Sequence, residues 1–257
     1  MLRKVWAFYK RDLQMALTYR FSFFYGLLQT TALFLSFFFI GKLVGGDYFR
    51  FVLVGIVFSG FMGTSLGGLS QTLSFERGHG TLETILLTPT SFTAVALGKI
   101  FWELTAVSLR AGIYVLVGIY LFKVDISQAN WVAFIPVTVL TVTTFLGLGM
   151  ISAGFLLIWR ETGPLEFLIG GLSRFLAGVY FPVTVFPGWL KGVASWMPFT
   201  YALEAVRKSL IQGASLTALR QELAVLLGFS LFFIPVGYFF FRRAWSEARR
   251  QGSLGLQ

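Results

Sequence analysis

Phe51-Val52-Leu53-Val54-Gly55-Ile56-Val57-Phe58-Ser59-Gly60-Phe61-Met62-Gly63-Thr64-Ser65-Leu66-Gly67-Gly68-Leu69-Ser70-Gln71-Thr72-Leu73-Ser74-Phe75 runs without a charge and stops at Glu76-Arg77-Gly78-His79-Gly80-Thr81-Leu82-Glu83. A helix needs roughly 20 apolar residues to cross a hydrocarbon core. The first stretch therefore reads as a membrane span, and the second as the chain emerging from it. That emerging segment, continued by Thr84-Ile85-Leu86-Leu87-Thr88-Pro89, holds the only histidine of the chain. Gly78 and Gly80 favour a tight turn, and Pro89 ends the short helix that Thr81 begins. On that helix Leu82, Ile85 and Leu86 share a face from which Glu83 and Leu87 point away. Mixed apolar and acidic contacts suit docking on a partner outside the lipid. The alternative is a self-contained connection packed against the inner ends of the adjoining spans.

Working outward, uncharged runs recur along the whole chain. Of its 257 residues 56% are apolar, only 12% are charged and thirty are Phe; with a mean hydropathy of +0.76, this is the composition of a membrane protein and not of a soluble domain. The spans expected are 21–41, closed by Arg20 and Lys42; 51–75; about 100–122, interrupted by Glu103 and Arg110; 132–158; about 164–181, carrying Glu166 and Arg174; and 223–241, fenced by Glu222 and Arg242-Arg243. The expected fold is thus an all-α polytopic membrane protein with six transmembrane helices. Both termini then lie on one side. More Lys and Arg fall in the short connections on the side of the N-terminus, which predicts cytoplasmic termini.

Residues 1–20 read as a separate cytosolic element, 21–241 as one transmembrane domain and 242–257 as a basic cytosolic tail. Between Arg3 and Arg20, charges alternate with Val5, Trp6, Tyr9, Leu13, Ala16 and Leu17 at helical spacing. That pattern predicts an amphipathic helix at the inner interface, the alternative being the polar first turns of span one. A signal peptide would place a short apolar region and a small-residue cleavage site there instead. The net charge of +10 is dispersed among hydrophobic spans, which argues for an anionic lipid surface and against nucleic acid.

Motifs of soluble chemistry are missing. There is no G-x-x-x-x-G-K-[ST] loop to cradle phosphates, and Gly98-Lys99-Ile100 lacks both the glycine loop and the hydroxyl. One His and no Cys give poor support for metal ligation or thiol chemistry. No G-x-S-x-G elbow is present. The chain reads as a protein without catalytic residues and with no cofactor of its own.

Charges inside spans are costly, about 2.5 to 3.5 kcal/mol for an Arg near the helix centre, so Arg110 and Arg174 need a reason. Glu103 and Arg110 share a helical face, and Glu166 and Arg174 lie two turns apart. These four residues either line a pathway or form intramembrane ion pairs; Glu103 also stands at i,i+4 spacing from Lys99. Gly60, Gly63, Gly67 and Gly68 leave little bulk on span two and permit another helix to approach. After span five, Pro182, Pro187 and Pro198 interrupt helical hydrogen bonding in a stretch too apolar for an ordinary loop. A re-entrant hairpin dipping from the outer face is expected, with an interfacial loop anchored by Trp189 and Trp196 as the alternative. Tyr201 to Ile211 reads as a short external helix.

Phe75-Glu76-Arg77-Gly78-His79-Gly80-Thr81-Leu82-Glu83, Leu86-Leu87-Thr88-Pro89-Thr90-Ser91 and Leu97-Gly98-Lys99 closely resemble the cytosolic stretch of ABC-2 type transporter permeases. Phe181-Pro182-Val183, Phe186-Pro187-Gly188-Trp189-Leu190 and Met197-Pro198-Phe199-Thr200-Tyr201-Ala202-Leu203-Glu204-Ala205-Val206-Arg207 resemble the second hallmark of that family. The resemblance implies a permease subunit of an ABC exporter in a prokaryotic inner membrane, paired with a second copy or a paralogue. It further implies that two cytosolic ABC ATPase subunits carry ATP and Mg. The stretch 76–89 would contain the coupling helix, with Glu76, Arg77, Leu82, Glu83, Leu86 and Pro89 at the ATPase. Pro182, Pro187, Trp189 and Pro198 would belong to an outer gate. A hydrophobic drug or lipid-like substrate fits the Phe-rich spans; polysaccharide or lipid-linked glycan export is the alternative within the family. A passive channel or membrane assembly factor is the alternative outside it.

Overall fold

A computed structural model describes residues 2–45, 47–78, 80, 92–159, 171 and 173–250. Among these the helices are α1 (Leu2–Thr18), α2 (Arg20–Val44), α3 (Tyr48–Gly78), α4 (Phe92–Tyr120), α5 (Trp131–Trp159), the single turn α6 (Ser173–Leu176), α7 (Gly188–Ser195), α8 (Pro198–Ile211) and α9 (Arg220–Arg250). The protein is all-α. Five of the described helices are long and apolar enough to cross a membrane: 24–44 of α2, all of α3, 95–120 of α4, all of α5 and 220–248 of α9. The expected span 164–181 begins outside the described residues; from α6 onward its C-terminal part is turn and bend.

The fold uses α3 as its axis. Two thirds (67%) of its most apolar window is buried, against 6% for α2. The small and hydroxylated residues of α3 explain how it tolerates neighbours on all sides. Ser65 donates to the Phe61 carbonyl at 2.8 Å and Thr72 to Gly68 at 2.7 Å, so buried hydroxyls are satisfied inside their own helix. Ser70 meets Ser152 of α5 at 3.2 Å. The main core joins α3 to α5, α8 and α9 through Phe58, Met62, Phe145, Phe199, Leu203 and Leu226.

Backbone approaches closely at Gly55 of α3, where a Cβ would stand 2.5 Å from the Val179 carbonyl oxygen, and between α5 and α9. A Cβ on Gly147 of α5 would stand 2.6 Å from the Phe233 carbonyl carbon of α9, and one on Gly237 would run into the Gly147 carbonyl. Gly60 does face Val107 of α4 and Gly63 faces Arg174, but Gly68 has open space beside it. The expectation of close approach through α3 therefore holds only in part.

Three boundaries differ from expectation. First, α3 runs through Glu76 and Arg77 to Gly78, so these residues are helical and not part of a turn. The turn follows them: Gly80 has φ +67 and its N–H donates to the Arg77 carbonyl at 3.0 Å. Second, α9 continues through the basic residues to Arg250. Third, the short helix expected over Tyr201 to Ile211 begins earlier, at Pro198, and Phe199, Ala202, Leu203, Ala205 and Val206 bury its apolar face in the main core. The N-terminal segment is a helix of its own, separated from α2 by a break at Tyr19 (φ −94, ψ 51).

Candidate functional site

The end of the bundle that carries α1 is held by charge. Gly98 brings α1 down onto α4: a Cβ there would meet Phe8 Cβ at 2.7 Å and the Val5 carbonyl at 2.8 Å. One turn further along α1, Asp12 reaches Lys99 of α4 at 3.6 Å and Arg11 Nε at 3.0 Å. Arg11 Nη2 extends the other way to Glu76 Oε1 of α3 at 3.1 Å. Lys99 also pairs with Glu103 at 3.2 Å, the i,i+4 pair anticipated from spacing. The result is one chain of ion pairs, Glu76, Arg11, Asp12, Lys99, Glu103, running from α3 across α1 to α4. Its carboxylates at Glu76 and Asp12 are 2% and 4% exposed. Removing one partner of such a buried pair strands the other charge, at a cost of roughly 3–5 kcal/mol.

The position of this chain matters because α3 and α4 bracket residues 81–91. Leu82, Glu83, Leu86 and Pro89 lie outside the described residues, as does His79. Of the expected coupling residues, Glu76 is buried in the seam with α1 and Arg77 is half-buried. Sequence reading missed Arg11 and Asp12. The signal available was that Asp12 is the only acid among the basic residues of the first twenty.

The ion-pair chain ends at a polar cavity. Glu103, Arg110, Gln71, Tyr114, Thr30 and Arg174 line a space of about 360 Å³ between α2, α3 and α4. Gly63 makes room for Arg174: a Cβ there would stand 2.9 Å from the guanidinium. Tyr114 donates to Thr30 Oγ1 at 2.9 Å. Glu103 and Arg110 also line a neighbouring cavity of about 430 Å³ together with Asp12, Lys99 and Phe24. Three of the four charged residues expected inside the spans thus converge; Glu166 lies outside the described residues.

At the opposite end, Arg207 of α8 is the organising side chain. Its guanidinium donates to the carbonyls of Gly178 at 2.8 Å and Val179 at 3.0 Å, and lies 3.4 Å above the Phe51 ring of α3. Burial pushes its pKa down to about 9, which leaves it cationic at neutral pH. Of the expected gate residues, Pro182 lines a cavity of about 670 Å³ beside Arg207 and Lys208. Pro187 stands at the N-cap of α7, Pro198 opens α8, and Trp189 is 72% exposed. Among the described residues no group of His, Cys, Asp or Glu could hold a metal ion.

Long apolar helices, charges gathered at their ends and a polar cavity between three of them define a multi-pass membrane protein. The chain belongs to the ABC-2 type transporter family, whose model matches residues 3–211; that family is the non-catalytic membrane component of ABC transporters. Nodulation protein J of Rhizobium meliloti (strain 1021) is 26% identical over 172 residues, which cover 65% of this chain and 64% of that protein. Nodulation protein J of Neorhizobium galegae is 25% identical over 176 residues, 67% of this chain and 65% of that protein. The inner membrane transport permease YadH of Escherichia coli (strain K12) is 21% identical over 168 residues, 65% of each. The chain therefore spans just under two thirds of the length of these curated relatives.

Proposed function

We propose that this chain is the membrane half of an ATP-driven exporter for amphiphiles with an anionic headgroup. Two copies, or this chain and a paralogue, pair above two cytosolic ABC ATPase subunits that bind ATP and Mg. The segment between α3 and α4 docks on the ATPase, with Leu82 and Leu86 as apolar contacts, Glu83 as the charged one and Pro89 as its stop. Glu76 and Arg77 form its root. α1 lies in the inner interface, both termini face the cytoplasm, and the name of the Escherichia coli relatives supports an inner-membrane setting. The sixth crossing of this reading is the stretch 164–181 expected from the sequence. The chain from Pro182 to Ile211 folds back on the bundle as the outer gate.

The observation that carries this reading is the ion-pair chain, which joins the root of the docking segment, Glu76, to Glu103 in the wall of the polar cavity. A displacement of the segment by the ATPase moves α3 and α4 against α1, and the pairs transmit it to the cavity. Arg110 and Arg174 in that cavity favour a substrate with a phosphate or carboxylate, since charge-assisted bonds to Arg are the strong ones. Ile56, Val57 and Val107 in the same wall favour an apolar tail. Lipid-like and lipid-linked glycan substrates both meet that description; a neutral drug does not.

The test is reconstitution with the ATPase in inverted vesicles and ATP-dependent uptake of a panel of labelled lipids. Glu83→Lys is expected to leave the complex and ATP hydrolysis in place while transport falls to background. Unchanged transport in an intact complex would overturn the coupling assignment, and flux independent of nucleotide would overturn the exporter reading.

A further inference from the structure

α6 places Arg174 in the wall of the polar cavity, and the segment from Arg174 to Val179 is seated on α3 at two notches. Gly63 makes the first, since a Cβ there would stand 2.9 Å from Arg174 Nη2. Roughly two turns earlier, about 12 Å along the helix, Gly55 makes the second. It admits two groups at once: a Cβ on Gly55 would meet the Val179 carbonyl oxygen at 2.5 Å and Arg207 Nη2 at 2.7 Å.

The chemistry at this second notch is one-sided. Every hydrogen bond that Arg207 makes among the described residues leaves through Nη2, to the carbonyls of Gly178, Val179 and, at 3.4 Å, Phe51. None of the ion pairs among the described residues includes Arg207, and its buried Nε has no partner. A guanidinium buried for stability alone is normally met by a carboxylate. This one directs its charge at backbone carbonyls, and hydrogen bonds from charged donors are the strong ones.

Two of those carbonyls belong to the turn that ends α6. Gly178 has φ +77, the Val179 N–H donates to the Arg174 carbonyl at 3.2 Å, and the Gly178 N–H donates to the Phe175 carbonyl at 3.1 Å. These bonds form a Schellman motif. The peptides of Gly178 and Val179 thus hold the backbone of Arg174 and Phe175 with their N–H groups and are held by Arg207 through their carbonyls.

We propose that Arg207 is a positioning residue for Arg174: from the outer end of the bundle it fixes the Schellman turn and so holds the Arg174 guanidinium in the polar cavity. The use of Arg174 in transport rests on the exporter reading; the clasp at Gly55 does not.

The clasp is tested on the full chain in nanodiscs, without nucleotide or ATPase, by amide hydrogen exchange. In Arg207→Met the peptide covering Phe175 to Val179 should exchange about tenfold faster than in wild type, the factor that loss of one hydrogen bond from a charged donor brings. Peptides of α9 from Leu223 to Phe241 should stay unchanged. Arg207→Lys keeps a cationic donor without the planar fork and should recover part of the protection. Gly55→Ser, which displaces the Val179 carbonyl from the side of α3 and leaves Arg207 intact, should give the same local signature. Equal acceleration in α9 would make Arg207 a general support of the fold and overturn the proposal, as would unchanged exchange from Phe175 to Val179. The link to Arg174 is read in the complex with the ATPase. Arg207→Met should lose the preference for an anionic over a zwitterionic lipid that Arg174→Gln loses, and the double variant should lose no more than either alone. Additive losses would refute the positioning role. A wild-type complex that moves no lipid with ATP would instead sink the exporter reading, with hydrogen exchange still deciding the clasp.

Discussion

Arg11 of α1 holds Glu76 at the end of α3 at 3.1 Å, and Glu76 is 2% exposed. A carboxylate that sequence patterning places at the surface is therefore turned inward by a residue far from it in the chain. Arg11→Ala removes this partner of Glu76, and the expected loss is about 3 kcal/mol, the lower end of the range for a broken buried pair because Arg11 is itself a third exposed. Glu76→Gln in the same background should recover part of it. Thermal unfolding in detergent, read as a double-mutant cycle, measures the coupling; additive effects would show that the pair is not formed.

Gly98 decides whether α1 can lie on α4. Gly98→Leu puts a side chain where Phe8 Cβ and the Val5 carbonyl already stand, at 2.7 and 2.8 Å from its Cβ. α1 should lift off, breaking the Asp12 to Lys99 contact while the remaining spans stay packed. The chain has no cysteine, so spin labels at Gln14→Cys and Thr105→Cys report the distance without background. An unchanged distance distribution would refute the prediction.

Glycines with and without neighbours should behave oppositely. Gly147→Ala and Gly237→Ala force backbone apart and should each cost several kcal/mol, within the range of severe core overpacking. Gly228→Ala, with nothing within 4 Å, should stabilise by roughly 0.5–1 kcal/mol through helix propensity. Melting temperatures of the three variants check both signs.

Lys208 bridges α8 to α9 through Glu222 at 2.5 Å and pairs with Glu204 at 2.8 Å. Hydrogen bonds to Glu204 and Glu222 hold its pKa above the usual 10.5. A raised pKa in a cation means that the pairing is fully present below about pH 10.5 and lost as pH climbs through the folded value. Lys208→Met should therefore lower the melting temperature equally from pH 6 to pH 9, and the gap to wild type should close only above pH 10.5. A gap that closes near neutrality would contradict the pairing.

Arg110→Gln and Arg174→Gln should each slow ATP-dependent transport about tenfold, the equivalent of one charge-assisted hydrogen bond of about 1.5 kcal/mol. ATP hydrolysis by the complex should persist. Vesicle uptake of an anionic against a zwitterionic lipid gives the readout, and equal loss for both would argue that the arginines only support the helices.

Most of the fold was legible because a hydrocarbon solvent imposes long apolar runs, and α2, α3, α4, α5 and α9 follow them. The end of α3 was not. Charges at Glu76 and Arg77 signal an exit from lipid, but the helix continues past them, with the Glu76 carboxylate taken up by a remote partner, Arg11. The Lys99 and Glu103 pair was readable from i,i+4 spacing, whereas Asp12 and Arg11 act across helices and leave no local pattern. Likewise, counting glycines on α3 located small surface but not its use. Whether a glycine meets backbone, as Gly147 does, or a guanidinium, as Gly63 does, depends on which helices surround it.

The contact between Gly147 and Gly237 has a consequence for how the protein is made. Its two halves are the fourth long apolar helix and the last, so the ribosome releases most of the chain before the partner of α5 exists. The contact between α5 and α9 therefore forms only after α9 has been made, and a chain cut short before Arg220 is expected to lack it.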